Sequence, residues 1–257
     1  MQYKSIAILY IATGKYTIFW KEFYESSEKY FLNNNQYEKN YFVFTDADSI
    51  EYENNPRIHK IYQESIAWPY ITLDRFSIFQ KVRHELENMD YIYFFNANML
   101  FVQPITDEIL PTTETPLVLV KHPGYFNKKR SKFTYDSNKN SLAYILPNEG
   151  LYYFMGGLNG GKKVEYLALI DELKRRIDID KINKVMALWH DESHLNRYAI
   201  DQSNAIKILD ASYGYPEGWK LPFKPKIMIR DKTKYGGHNF LRNEKSQWKT
   251  ILRSLWK

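Results

Sequence analysis

YIYFFNANMLFVQP, residues 91–104, is an aromatic, apolar run that breaks at Asn96-Ala97-Asn98 and then resumes. Aromatic and β-branched residues bounded by turn formers read as a buried strand over residues 91–95. Similar runs stand earlier, at residues 5–11 and 41–45, the second ended by Asp46-Ala47-Asp48. Between them, residues 17–32 place Ile18, Phe19, Phe23, Tyr30 and Phe31 at helical spacing. Residues 73–86 do the same with Phe76, Phe79, Val82 and Leu86. Strand, helix, strand, helix, strand predicts an α/β fold with a parallel, Rossmann-like sheet and crossover helices. Ligands of such sheets sit beyond the carboxyl ends of the strands. Residues 12–16, the Asp46 region and Asn96-Ala97-Asn98 stand there.

The second half is less regular. A strand is expected over residues 117–120, leading into His122-Pro123-Gly124. Residues 152–155 lead into GGLNGG at 156–161, and residues 164–177 look helical. Trp189-His190-Asp191-Glu192-Ser193 opens a further short helix. With no repeat and no Pro/Ser-rich linker, residues 1–242 read as a single domain and 243–257 as a basic amphipathic tail.

The chain has 257 residues and a net charge of +6, with 44% hydrophobic and 26% charged residues, so a globular protein with a sizeable core is expected. Its 22 Tyr, 15 Phe and 6 Trp reflect either base composition or sugar-stacking clefts. The absence of Cys excludes disulfides, thiolate catalysis and Cys-based zinc sites. MQYKSIAILYIATG reads as a first strand and not a signal peptide, and no run of about 18 apolar residues suggests a membrane span. A cytoplasmic location is expected. Residues 241–257 hold five Lys/Arg and one Glu, so the rest of the chain is nearly neutral and nothing suggests a nucleic-acid groove. In the tail, Trp248, Ile251, Leu252, Leu255 and Trp256 share a helical stripe among Lys249, Arg253 and Lys257. That pattern fits either packing on the domain or an anionic membrane surface.

Asn96 and Asn98 are one residue apart and are expected to point the same way. They are either turn formers or donors to a phosphate or sugar. As neutral amides they bind metal poorly. Asp191 and Glu192, beside Trp189, fit acidic enrichment in a first helical turn or carboxylates for glycosyl chemistry. Met155-Gly156-Gly157 opens a plain turn or lets a ligand approach the backbone. His122 is a cleft residue or a locally satisfied one. His190 and His194, four apart, leave a metal site conceivable.

YIATGKY (10–16), FFNANMLF (94–101), HPGYFNKKRSKFTYD (122–136), AYILPNEGLYYFMGGLNGG (143–161) and, above all, WHDESHLNRY (189–198) resemble glycosyltransferase family 6. That family contains the histo-blood-group A and B transferases and the α1,3-galactosyltransferases, and the likeness is greatest to its compact bacterial members. The resemblance implies a GT-A fold and retaining transfer of galactose or N-acetylgalactosamine from UDP to a galactose 3-hydroxyl, often fucosylated. It further implies that Ile11, Thr13 and Tyr16 hold the uridine and that Arg75 binds the donor. Asn96 and Asn98 occupy the metal-binding D-x-D positions. Met155, Gly156 and Gly157 choose the donor sugar, Asp191 contacts it, and Glu192 falls at the proposed nucleophile, either forming a covalent glycosyl intermediate or stabilising an ion pair while the acceptor attacks from the same face. His122 and Trp189 meet the acceptor. With both carboxylates of the D-x-D missing, the expected cofactor is none, and metal-independent transfer follows. Lys232 and Lys234, in IRDKTKYGG, with Arg242, are then expected to offset the phosphate charge. Gly157, lacking a side chain, leaves room for an acetamido group and favours GalNAc, whereas Met155 resembles the residue of the galactose-using enzyme. The alternative is a UDP-sugar- or carbohydrate-binding protein without turnover, which would have no chemical need for Glu192.

Overall fold

The structure, a computed structural model, describes residues 3–242; the expected amphipathic tail at 243–257 lies outside the described residues. The chain runs β1 (Lys4–Ile11), α1 (Trp20–Tyr30), β2 (Tyr37–Thr45), β3 (Ile58–Tyr62), then the short helices α2 (Tyr70–Leu73), α3 (Arg75–Phe79) and α4 (Arg83–Leu86). β4 (Tyr91–Asn96), β5 (Met99–Phe101), β6 (Leu117–Lys121), β7 (Phe154–Lys162), α5 (Lys163–Ile182), α6 (Asp191–Asp201) and β8 (Ile206–Leu209) follow. β9 (Tyr215–Pro216), β10 (Ile227–Ile229) and α7 (Gly237–Leu241) complete it.

Seven strands form one sheet in the order β3-β2-β1-β4-β7-β6-β8. Its pairs are parallel except those of β7, which runs antiparallel to both β4 and β6. The sheet is covered on both faces, which is why its strands read as continuous apolar runs and not as alternation. On one face Ile6, Ile8 and Tyr10 of β1 pack with Trp20 and Phe23 of α1. On the other, Ala7 and Leu9 pack with Phe76 and Phe79 and with apolar residues of α5 and α6. Among the described residues, no helix is long and apolar enough to cross a membrane.

Three differences from the sequence pattern bear on the site. The helix expected over 17–32 begins as a 3-10 turn at Gly14–Phe19 and ends at Tyr30. The helix expected over 73–86 is broken into α3, a 3-10 turn and α4. These pieces have no side-chain caps and are three to five residues long, so packing on the sheet, not helical continuity, sets their course. Finally, GGLNGG is a strand and not a turn. A Cβ on Gly160 would lie 2.3 Å from Cδ1 of Tyr93, and one on Gly161 would lie 2.7 Å from the Pro116 carbonyl oxygen. Glycine there allows neighbouring strands to cross closely.

β7 is also irregular where it matters. Leu119 pairs with Asn159, yet Lys121, two residues on, pairs with Phe154, five residues back. The excess length swings Met155-Gly156-Gly157 out of register with β6, next to the end of β4, as bulges beside active sites do. A second, three-stranded sheet, β5-β10-β9, brings the C-terminal segment back to the same rim.

Candidate active site

A cleft of about 180 Å³ opens at the carboxyl ends of β1 and β4. Ile11, Phe94 and Asn96 line it from the sheet, and Thr13 and Tyr16 from the turn after β1. The segment before α3 supplies Ser65, Ile66, Trp68 and Thr72, and the C-terminal segment supplies Lys232 and Arg242. With Arg75, that makes three cations around one hollow, and it follows that an anion of high charge is the natural occupant. The Lys232 ammonium sits 5.2 Å from the centre of the Tyr16 ring. Burial, and then the charges of Arg242 and Arg75, bring its pKa down to about 8. The Arg242 guanidinium lies 4.8 Å over the Trp68 ring, which meets His190 edge-on at 5.1 Å.

Arg75, buried on α3, joins this cleft to the acidic turn of α6. Its Nη1 donates to the Gly156 carbonyl at 2.6 Å and pairs with Asp191 Oδ2 at 2.7 Å. Nη2 reaches Asn96 Oδ1 at 3.4 Å, and the guanidinium stacks 4.1 Å over Phe94. The buried Nε has no hydrogen-bond partner among the described residues. Burial pushes the Asp191 carboxyl up, and Arg75 opposes the shift.

Glu192 lies next to this pair, half-buried in the first turn of α6. Tyr153 donates to its Oε1 at 3.0 Å and the Gly156 N–H donates to its Oε2 at 2.7 Å. Burial, assisted by the Asp191 charge, raises its pKa to about 7 against these two donors. Asn196, one turn on, clamps the turn to β7: it exchanges hydrogen bonds with both backbone groups of Phe154 and donates to the Glu192 carbonyl, each at 2.9 Å. The residue before the pair, His190, has φ of 52°, a conformation that is uncommon outside glycine. A carboxylate held by two donors beside a cationic cleft is suited to meet positive charge developing on a sugar carbon as an anionic leaving group departs.

The structure brings most of the expected residues together and separates others. Ile11, Thr13, Tyr16, Arg75, Asn96, Asn98 and Lys232 line the cleft. Gly156 and Asp191 adjoin the cleft through Arg75, Glu192 is bonded to Gly156, and Gly157 lies against Asn96 and Met155. His122 comes next: its ring lies 5.8 Å from that of Tyr153, and its Nδ1 accepts from the Gly124 N–H at 3.0 Å. Burial lowers its pKa to about 4, so it is neutral. Trp189 stands at the rim, 46% exposed and free to stack.

Four expectations are corrected. Asn96 and Asn98 do not point the same way. Asn96 turns to Arg75, whereas the buried Asn98 donates through Nδ2 to the Arg230 carbonyl at 2.8 Å and so ties the β4–β5 turn to the end of β10. Lys234 is not in the cleft: its ammonium pairs with Glu217 at 2.6 Å, more than half exposed. The space beside Gly157 is not open, because a Cβ there would lie 2.7 Å from Asn96 Nδ2 and 2.9 Å from Met155 Cε. His190 and His194 do not share a site; His194 is fully buried, with Nε2 3.5 Å from Asp180 Oδ2. At the expected cation position the chain offers amides already engaged by Arg75 and Arg230, and among the described residues no group of three His, Cys, Asp or Glu side chains could hold a metal ion. These residues do not fit the carboxylate cation site of a D-x-D.

Sequence reasoning missed Tyr153, Asn196 and the 65–72 wall. Tyr153 lies inside the quoted YYFMGG, but nothing local says which of two adjacent tyrosines turns toward a carboxylate 39 residues away.

The family model for glycosyltransferase family 6 matches residues 1–243. The chain is 36% identical to the O-antigen biosynthesis glycosyltransferase WbnI of Escherichia coli, covering 88% of this chain and 94% of that one. It is 32% identical to globoside alpha-1,3-N-acetylgalactosaminyltransferase 1 of Mus musculus, over 93% of this chain and 68% of that one. It is 30% identical to histo-blood group ABO system transferase 1 of Rattus norvegicus, over 89% and 65%. The large, mostly parallel sheet agrees with a GT-A-like fold. A cationic cleft at the strand ends, the clamped carboxylate of α6 and these likenesses lead to one assignment: the chain belongs to glycosyltransferase family 6.

Proposed function

We propose that the chain is a retaining, metal-independent α1,3-glycosyltransferase that moves GalNAc, or galactose, from UDP to the 3-hydroxyl of a fucosylated galactoside. The observation that carries this is the Glu192 carboxylate, held by Tyr153 and Gly156 next to a cleft with three cations. UDP would occupy the cleft, with its diphosphate near Lys232, Arg242 and the unpartnered Nε of Arg75. As the bond from the anomeric carbon to UDP breaks, these fixed cations take up the charge on the leaving phosphate. Glu192 faces the sugar, either bonding to the anomeric carbon or stabilising it as an ion pair. The acceptor oxygen then bonds to that carbon, breaking the Glu192 bond where one has formed, and passes its proton to the phosphate oxygen of the departed UDP. His122 and Trp189 are the acceptor contacts in this scheme.

The name of the mouse relative specifies α1,3-N-acetylgalactosaminyl transfer, which supports GalNAc. The space beside Gly157 is held by two flexible side-chain ends, the Asn96 amide and the Met155 methyl, so an acetamido group requires their movement and not merely the glycine. The test is transfer to 2′-fucosyllactose from UDP-GalNAc and from UDP-Gal, each with excess EDTA and with Mn²⁺. Transfer unaffected by EDTA is expected, with GalNAc the better donor; activity only with Mn²⁺ would overturn the metal-independent scheme.

The rival, a UDP-sugar-binding protein without turnover, draws on the missing D-x-D. Glu192→Gln separates the two: the enzyme loses most turnover, whereas a binder keeps its affinity. Cytoplasmic location and peripheral membrane contact through residues 243–257 rest on the sequence pattern alone. Deleting residues 246–257 is expected to abolish pelleting with anionic liposomes, and unchanged pelleting would remove the membrane contact from the proposal.

A further inference from the structure

Met155 is buried, 4% exposed, in the irregular start of β7. Its terminal atoms lie between two glycines on different elements. A Cβ on Gly157 would come 2.9 Å from Met155 Cε. A Cβ on Gly214, in the 3-10 turn before β9, would come 2.3 Å from Met155 Sδ and 3.1 Å from Cε, with Ile229 Cδ1 at 3.8 Å. Neither glycine is among those with positive φ, so the backbone does not demand glycine at 157 or 214. What demands it at 214 is the volume of the Met155 thioether, and at 157 the Asn96 amide together with the Met155 methyl. A methionine has several rotatable bonds and fills whatever gap its neighbours leave.

From this we infer that Gly214, which does not touch the cleft, is a positioning residue for donor selection. By leaving a gap for the Met155 sulfur, it keeps the Met155 methyl back from the point where Gly157 and Asn96 meet. The inference rests on the proposed donor chemistry and deepens it. A methyl group at 214 would press on the sulfur at 2.3 Å and force the thioether to shift. The thioether would then move toward Gly157 and Asn96, into the space an acetamido group must claim. A hydroxyl at the same sugar carbon claims less and is affected less.

The experiment measures kcat/KM for UDP-GalNAc and UDP-Gal in EDTA, with thermal unfolding midpoints for each variant. Gly214→Ala is expected to lower the GalNAc-to-Gal ratio about tenfold, the scale of one methyl group in a sugar pocket. Gly214→Ala should leave the ratio unchanged when added to Met155→Ala, because the sulfur it presses on is gone. Ile229→Ala, which loosens the same packing without reaching Gly157, should leave it unchanged. A purely structural role for Gly214 would lower kcat/KM equally for both donors, and that result overturns the inference. Should Gly214→Ala not fold, the Gly214→Ala/Met155→Ala double variant must fold, and its failure to do so is equally fatal. No transfer from either donor by the unaltered protein overturns the underlying function. Transfer with a ratio indifferent to Gly214→Ala overturns only this inference.

Discussion

At the scale of single residues, two lysines separated by one position have different fates. Lys232 lines the cleft, partly deprived of water and near two guanidiniums, whereas Lys234 is paired with Glu217 in solvent. Lys232→Ala is therefore expected to weaken UDP binding about tenfold to hundredfold, the worth of one charge-assisted hydrogen bond. Lys234→Ala should change the Kd less than about twofold, since an exposed ion pair contributes little. Calorimetric titration of both variants checks this. UDP affinity should also fall as pH rises through about 8, where free Lys232 loses its proton. Glu192 titrates in the opposite sense. Its pKa near 7 leaves it protonated below that value, so kcat/KM should decline as pH falls through about 7. The same elevation means that its contribution to stability is complete below about 4.5 and is lost as pH rises through about 7. Tyr153→Phe removes a donor to the carboxylate and should move the activity limb upward by about one pH unit. An unmoved limb would mean that the Tyr153 hydroxyl does not hold Glu192 during turnover. Residue type made these roles partly legible: an acidic pair beside Trp189 and lysines near a Gly-Gly were visible in the chain. Direction was not. Asn98 turns toward Arg230 because a backbone carbonyl 132 residues away needs a partner, and no local pattern encodes that.

At the scale of elements, β1, β2, β4 and β6 were legible because a sheet buried on both faces demands unbroken apolar runs. β7 was not, because half of its positions are glycine or asparagine and the strand is specified by its neighbours. Gly160 is the sharpest instance. Gly160→Ala sets a methyl group against Tyr93 and the Ile92 carbonyl, where backbone cannot yield cheaply. Overpacking of this kind should cost about 1–3 kcal/mol, read as a lower urea midpoint at unchanged slope. The first turn of α6, which bears Asp191 and Glu192, is clamped to β7 by Asn196. The helices between residues 70 and 86 were misjudged for a related reason. Packing on the sheet interrupts them at Asp74 and at Gln80–Val82, and leaves Arg75 at the start of α3 to reach Gly156 and Asp191.

At the scale of the whole molecule, the cleft is assembled from four remote stretches, near residues 11–16, 65–75, 94–98 and 232–242. Arg230 fastens the last of these to the first. It is buried, donates through Nη2 to the Phe19 carbonyl at 3.0 Å, pairs with Glu22 and stacks 4.5 Å over Phe19. Arg230→Ala is expected to weaken UDP binding several-fold, although Arg230 does not line the cleft, and to lower stability by about 1.5–3 kcal/mol. Retained affinity alongside lost stability would show that the segment bearing Lys232 needs no such fastening. The strand order pointed to the rim where the cleft opens, but the segments that complete that cleft were hidden, since sequence distance says little about which segments meet.

The large sheet is finished by Leu209, whereas Lys232 and Arg242 come later in the chain. During synthesis, every strand of the large sheet thus leaves the ribosome before two of the three cations that line the cleft. Under the proposed function, nucleotide meets its full set of cations only after the strands of the large sheet have been made. Its full binding energy is available only to a molecule whose strands already exist, and it acts as a final latch and not as a nucleus.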